Sequence, residues 1–164
     1  MDFYSTRTLE LETLARQEPI LNPLFGGVRA ADQLPTHPVR SEPRGYIVNT
    51  DPHDRPGQHW IALWTQDDGR KIMVSYGLPL ETYKKKHKLQ WLNANWSVME
   101  RNSQSLQAIN SATCGHYALR FLAERSQGRS LRQFLDQFKR HDYVYNDAMM
   151  ARWMNKKMMT YINQ

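Results

Sequence analysis

The chain has a single cysteine in 164 residues. A lone thiol can form no internal disulfide and no all-cysteine metal site, and it suits a reducing compartment. There is no run of about 18 apolar residues, so no segment is expected to span a membrane. The first residues lack the basic-then-apolar pattern of a secretion signal, and the expectation is a protein that is not secreted. No internal repeat, low-complexity tract, Gly-rich phosphate loop or paired metal-ligand spacing is present. Acidic residues are the minority charge, 16 against 22 Lys and Arg, for a net charge of +6. That excess favours polyanions such as nucleic acid, through phosphate neutralisation and counterion release; it equally serves an ordinary soluble surface.

What remains is the composition of a globular protein, 40% hydrophobic and 23% charged. The length predicts one domain over residues 1–164, with a sizeable core. Leu9, Leu11, Leu14 and Ala15 predict an amphipathic helix over Thr8 to Gln17, ended by Pro19. Ile20 to Pro43 is rich in Pro and Gly and reads as an ordered loop anchored by Leu21, Leu24, Phe25, Val28 and Leu34. Strands are expected at 45–50, 58–64 and 70–76. The last two are joined at the Asp68-Gly69 turn, giving a small antiparallel sheet. Residues 99–107 suggest a further strand. Helices follow over Thr113–Arg125, closed by Gly128, and over Ser130–Arg140, with Leu131, Phe134, Leu135 and Phe138 at helical spacing. A last helix is expected through Ala148, Met149, Trp153 and Met154, capped by Asn146 or Asp147. Met149, Met150, Met158 and Met159 read as packing residues.

The chemistry gathers around Cys114. A loop of small and polar residues, 106–113, runs into an apolar helical segment, so the thiol stands at a helix start. There the helix dipole favours the thiolate and lowers the thiol pKa. The competing reading is a small buried hydrophobe. A nucleophilic cysteine needs a base, and His59, on a predicted strand beside Trp60, is the best candidate. His53 reads as a solvated loop residue, His116 points elsewhere if its segment is helical, and His37, His87 and His141 have no supporting context. The Gln107 side-chain amide and the Cys114 backbone N–H are candidate donors to an oxyanion.

Three segments carry a family resemblance: Gly57-Gln58-His59-Trp60, Ser75-Tyr76-Gly77-Leu78-Pro79, and Gln107 through Cys114-Gly115. Together they resemble the adenain (adenovirus endopeptidase) family of cysteine proteases, closest in look to the proteases of Polinton/Maverick elements and related viruses. Phe25-Gly26-Gly27-Val28, Leu34-Pro35, Ile47-Val48-Asn49-Thr50 and Tyr145-Asn146-Asp147 extend the likeness over roughly residues 20–150. The resemblance implies an α+β, papain-like fold of the adenain and SUMO-protease type, a small mostly antiparallel sheet packed by helices. It implies Cys114 as nucleophile, His59 as base, Gln107 with the Cys114 N–H as oxyanion hole, and Trp60 supporting the imidazole and lining a substrate cleft. The implied activity is a thiol endopeptidase of virion maturation that cuts viral or capsid precursors at glycine-containing sites, as a monomer in the virion or the nucleus of an infected cell. It implies no cofactor beyond a non-covalent DNA or peptide activator. The basic run Lys84, Lys85, Lys86, Lys88 is then a candidate DNA contact, with a solvated face as its alternative.

Two positions depart from the family pattern. Where an Asp or Glu orients the histidine, this chain has Val74, whose side chain accepts no hydrogen bond. Ser75 or a main-chain carbonyl is the substitute, or else the site works as a Cys-His dyad. At Trp96 there is no cysteine to bond an activating peptide. Two other functions remain open on the same residues. One is a deubiquitinating or deSUMOylating isopeptidase, since the same cleft accepts a Gly-Gly tail. The other is an inactive, DNA- or capsid-binding pseudoprotease, the reading Val74 favours.

Overall fold

A computed structural model describes residues 3–30, 33, 43–49, 60–66, 71–74, 100–102, 106 and 114–163. The architecture is α+β. Helix α1 spans Phe3–Gln17, and a single 3-10 turn, Asn22–Leu24, leads into strand β1, Phe25–Arg29. Strands β2 (Arg44–Asn49), β3 (Trp60–Thr65), β4 (Lys71–Val74) and β5 (Glu100–Arg101) follow. Then come helices α2 (Cys114–Ser126), α3 (Leu131–Leu135) and α4 (Tyr143–Ile162). Among the described residues the strands form one sheet in chain order, β1-β2-β3-β4-β5.

The sheet is mixed rather than antiparallel. β2–β3 and β3–β4 are antiparallel, as the hydrophobic patterning suggests, but β1–β2 and β4–β5 are parallel. β1 falls inside the stretch expected to be a loop, and its glycines are the reason. The Tyr46 ring lies directly over Gly26, where any side chain would collide with it. Gly27 adopts a φ of 112°, open to glycine and strained for other residues, and the register slips between Phe25 and Gly27. A Gly-Gly pair that reads as a turn is here a bulge that lets a tyrosine cross the strand.

Helix α1 begins at Phe3, five residues before the expected Thr8, and buries Leu11, Leu14 and Ala15 on one stripe. It is bolted to β1 by polar contacts. The Val28 N–H donates to Glu12 Oε2 at 2.8 Å, and Arg16 donates to the Phe25 carbonyl at 3.1 Å. The Arg16 guanidinium also lies over the Phe25 ring, 5.0 Å from its centroid.

All six residues of β3 are buried. Trp60, Ala62 and Trp64 join the main core with Leu11, Leu14, Ile47, Phe121, Leu122, Phe134 and Met150. The alternate positions Ile61 and Leu63, with their neighbours Tyr46 and Val48, are buried as well, so the sheet is covered on both faces. A strand buried on both sides needs an unbroken apolar run, and Trp-Ile-Ala-Leu-Trp supplies it.

The C-terminal helices end and start by local chemistry. After α2, Gly128 takes φ 97°. Its N–H bonds the Arg125 carbonyl at 3.0 Å, and the Arg129 N–H bonds the Glu124 carbonyl at 3.1 Å, a Schellman closure. Ser130 and Gln133 form a capping box at the start of α3. α3 stops at Leu135, well before the expected Arg140, because the next N–H groups turn to i−3 carbonyls: Gln137 to Phe134 and Phe138 to Leu135. Phe138 is buried nonetheless. α4 starts three residues earlier than the expected cap at Asn146. Asp142 accepts from the Tyr145 N–H at 3.1 Å and is the cap in its place. Among the methionines, Met150 and Met154 are core, whereas Met159 is exposed. No helix among the described residues is long and apolar enough to cross a membrane.

Candidate active site

Cys114 is the first residue of α2, at the position the sequence assigned to it. The helix it opens is 13 residues long. Its first turn leaves backbone N–H groups without intrahelical partners, the arrangement that favours a thiolate. His116 is within the helix and half-buried, so the condition under which it points away from the cysteine is met.

The direction of α2 across the sheet is fixed by two contacts. Near its start, a methyl group on Gly115 would lie 3.3 Å from Trp60 Cδ1 and 2.8 Å from Leu11 Cδ1. Further along, Leu122 Cδ2 and Trp64 Cε3 both close on Gly45, at 3.1 and 3.2 Å from where its Cβ would be, and Arg125 sits over the Trp64 ring. Trp60 opens β3 and Trp64 lies near its end, so helix and strand run in the same direction with their starts together. The lengths agree: seven residues of helix rise about 10 Å, and four residues of strand about 13 Å. Cys114 immediately precedes Gly115, and His59 immediately precedes Trp60.

His59 itself lies outside the described residues, as do Gln107, Ser75, the lysines 84, 85, 86 and 88, and Trp96. Trp60 is 7% exposed and packs in the core cluster. Val74 is the last residue of β4 and the register partner of Ala62, two residues into β3 from Trp60. Among the described residues no group of three or more His, Cys, Asp or Glu is placed to hold a metal.

One cluster near the start of α2 has a role that the sequence, which offers Asn146 and Asp147 as helix caps and as part of the family likeness, does not show. Asn146 is fully buried on α4, and its amide donates to the Leu106 carbonyl at 3.0 Å and to the Lys139 carbonyl at 2.8 Å. Its Oδ1 accepts the Lys139 N–H at 2.7 Å. The Tyr117 hydroxyl donates to Asp147 Oδ1 at 2.9 Å, with the Leu106 carbonyl at 3.4 Å. Burial first, and then the bond to Asp147, hold the Tyr117 phenol well above its ordinary value, so it remains a neutral donor. Helical spacing marks Asn146 only as a polar residue near a helix start. Its burial follows from where α4 docks.

Glycine at 115 is what lets α2 approach β3 so closely. Gly→Ala in an exposed helix usually adds up to about 1 kcal/mol of stability. Here Gly115→Ala is expected to lower it by about 1–2 kcal/mol, because Leu11 or Trp60 must move. A urea midpoint at or above that of the unchanged protein would show that those side chains yield freely.

No protein-family model and no curated protein matches the chain.

Proposed function

We propose that the chain is a cysteine endopeptidase with a papain-like arrangement of the adenain type, acting on glycine-containing sites in protein substrates. The observation that carries the reading is the shared start of α2 and β3, where Gly115 meets Trp60. It puts Cys114 at the start of β3, the strand that His59 directly precedes in sequence, and this supports pairing the two. In this reading the Cys114 thiolate attacks the scissile carbonyl carbon, and the oxyanion is held by the Gln107 amide and the Cys114 N–H. The C–N bond breaks as protonated His59 gives its proton to the leaving amine. Water, activated by His59, then hydrolyses the thioester and frees the thiol. Val74 leaves the imidazole to be oriented by another acceptor or to work as half of a dyad. The basic residues Lys84, Lys85, Lys86 and Lys88 are the candidate contacts for a DNA activator.

The test is the pH dependence of iodoacetamide modification at Cys114. An imidazolium-paired thiolate at a helix start reacts quickly at pH 6, with a rate that is nearly flat to neutral pH. A rate that climbs only through about pH 8.5, as for a free thiol, would overturn the proposal.

A further inference from the structure

Helix α4 is buried along one side only. Asn146, Met150 and Met154 are buried there, and Lys157 pairs with Glu18, just after α1. The opposite side faces solvent, and its residues recur at the helical period: Val144, Ala148, Ala151, Asn155, Met159 and Ile162, all exposed. They form a stripe about 27 Å long. Val144 is 84% exposed, Met159 58% and Ile162 69%, three of the four large hydrophobic residues left exposed among the described residues. Single exposed apolar side chains are ordinary, but three in line on one face of one helix mark a contact surface.

The charges beside the stripe are of one sign. Arg152 and Lys156 are exposed on its flank and form no salt bridge among the described residues. No acidic residue follows Asp147 in α4, and the Asp147 carboxylate accepts the Tyr117 hydroxyl at 2.9 Å. A second copy of the chain would bring the same two cations and another net charge of +6 to this face, which makes it a poor complement. A nucleic acid would call for more than two cations to neutralise its phosphates. A lipid surface would call for bulky side chains along the whole stripe, whereas the centre holds Ala148, Ala151 and Asn155. Those short side chains suit another helix, which can pack at an interaxial distance of about 8 Å where residues are small. Asn155 adds an amide that can fix the register of such a helix.

We infer that the outer face of α4 is a docking surface for an acidic amphipathic helix of a partner protein, with apolar residues packed along the stripe from Val144 to Ile162 and carboxylates meeting Arg152 and Lys156. Such docking is independent of the chemistry of Cys114.

The test titrates the full-length chain into a labelled synthetic helix of about 20 residues, with Leu at heptad positions a and d and Glu at e and g, in about 0.15 M salt. Binding is read by fluorescence anisotropy. Two companion probes carry Lys at e and g, or the acidic composition in scrambled order. The expected result is saturable binding of the acidic helix, at least about tenfold tighter than either companion. Met159→Asp and Arg152→Glu each weaken it about tenfold. Arg132→Glu, the same charge change at an exposed position of α3, leaves it within about twofold. Should Met159→Asp not fold, Val144→Asp repeats the apolar test at the other end of the stripe. Equal losses from Arg152→Glu and Arg132→Glu would mark unspecific attraction to a basic protein and overturn the proposal. So would binding no tighter than that of the scrambled helix. A chain that dimerises in sedimentation, and ceases to do so after Met159→Asp, gives the face to a second copy. Binding to phosphatidylserine vesicles through the same residues, without binding of the acidic helix, gives it to a membrane. Either result overturns the proposal as well.

Discussion

Cys114→Ala is expected to abolish hydrolysis of a glycine-containing peptide, a loss of roughly ten-thousand-fold or more, while the protein unfolds at the same temperature as before. The size follows from the proposed mechanism. Without the sulfur no acyl-enzyme forms, and oxyanion donors and substrate binding are left with a residual rate over water. The retained stability follows from position. Cys114 opens α2 instead of sitting within it, and alanine is at least as good a helix former. The two measurements must be made together, peptide turnover by chromatography and the unfolding midpoint by calorimetry. Turnover that survives in the alanine variant would end the nucleophile assignment. A large drop in midpoint would mean that the cysteine is a packing residue, the bland reading that the sequence left open.

Phe121→Ala is expected to destabilise the fold by about 3–5 kcal/mol. Phe121 is 0% exposed, in the middle of α2. Its ring meets Phe134 of α3 edge-on, centroids 5.4 Å apart, and Phe134 in turn meets Phe138 at 5.1 Å. Truncation removes the ring and leaves a cavity that Phe134, itself locked on both sides, cannot fill by a small shift. For a chain of this size the unfolding temperature falls on the order of 10 °C. Calorimetry checks the value, and a loss below about 1 kcal/mol would show that the helices relax onto each other. The variant matters to the site because α2 carries Cys114. Well below the unfolding temperature its alkylation rate should stay close to that of the unchanged chain, since the helix start is held separately by Gly115 against Trp60 and Leu11.

Much of this was legible in the residues. The apolar spacing of Leu11, Leu14 and Ala15 marked α1. Gly128 marked the end of α2, and the start of that helix was placed within one residue. The run Trp-Ile-Ala-Leu-Trp gave β3. These features are local: periodicity, a cap and a left-handed glycine act over a few residues, and a sequence displays them directly. Where local rules offer two answers, contacts from distant residues choose between them. Gly26-Gly27 has the look of a turn, and only the Tyr46 ring lying across it makes it strand. Asn146 has the look of a cap, and Asp142 took that role. Asn146 was then free to reach forty residues back to Leu106.

The amino-acid sequence by itself determined which groups could do chemistry, and that a thiol would stand at the mouth of a helix. Both depend on residue type and short-range spacing. Tertiary structure alone decided that α2 would lie along β3 with Cys114 at the Trp60 end, that β1 would pair with β2 and β5 with β4 in parallel, and that a buried asparagine would bond the carbonyl before Gln107. Each of these depends on side chains far apart in the chain filling one another's space: Leu11 and Trp60 around Gly115, Trp64 and Leu122 around Gly45. Burial of that kind is a property of the packed whole, and no single stretch of sequence carries it.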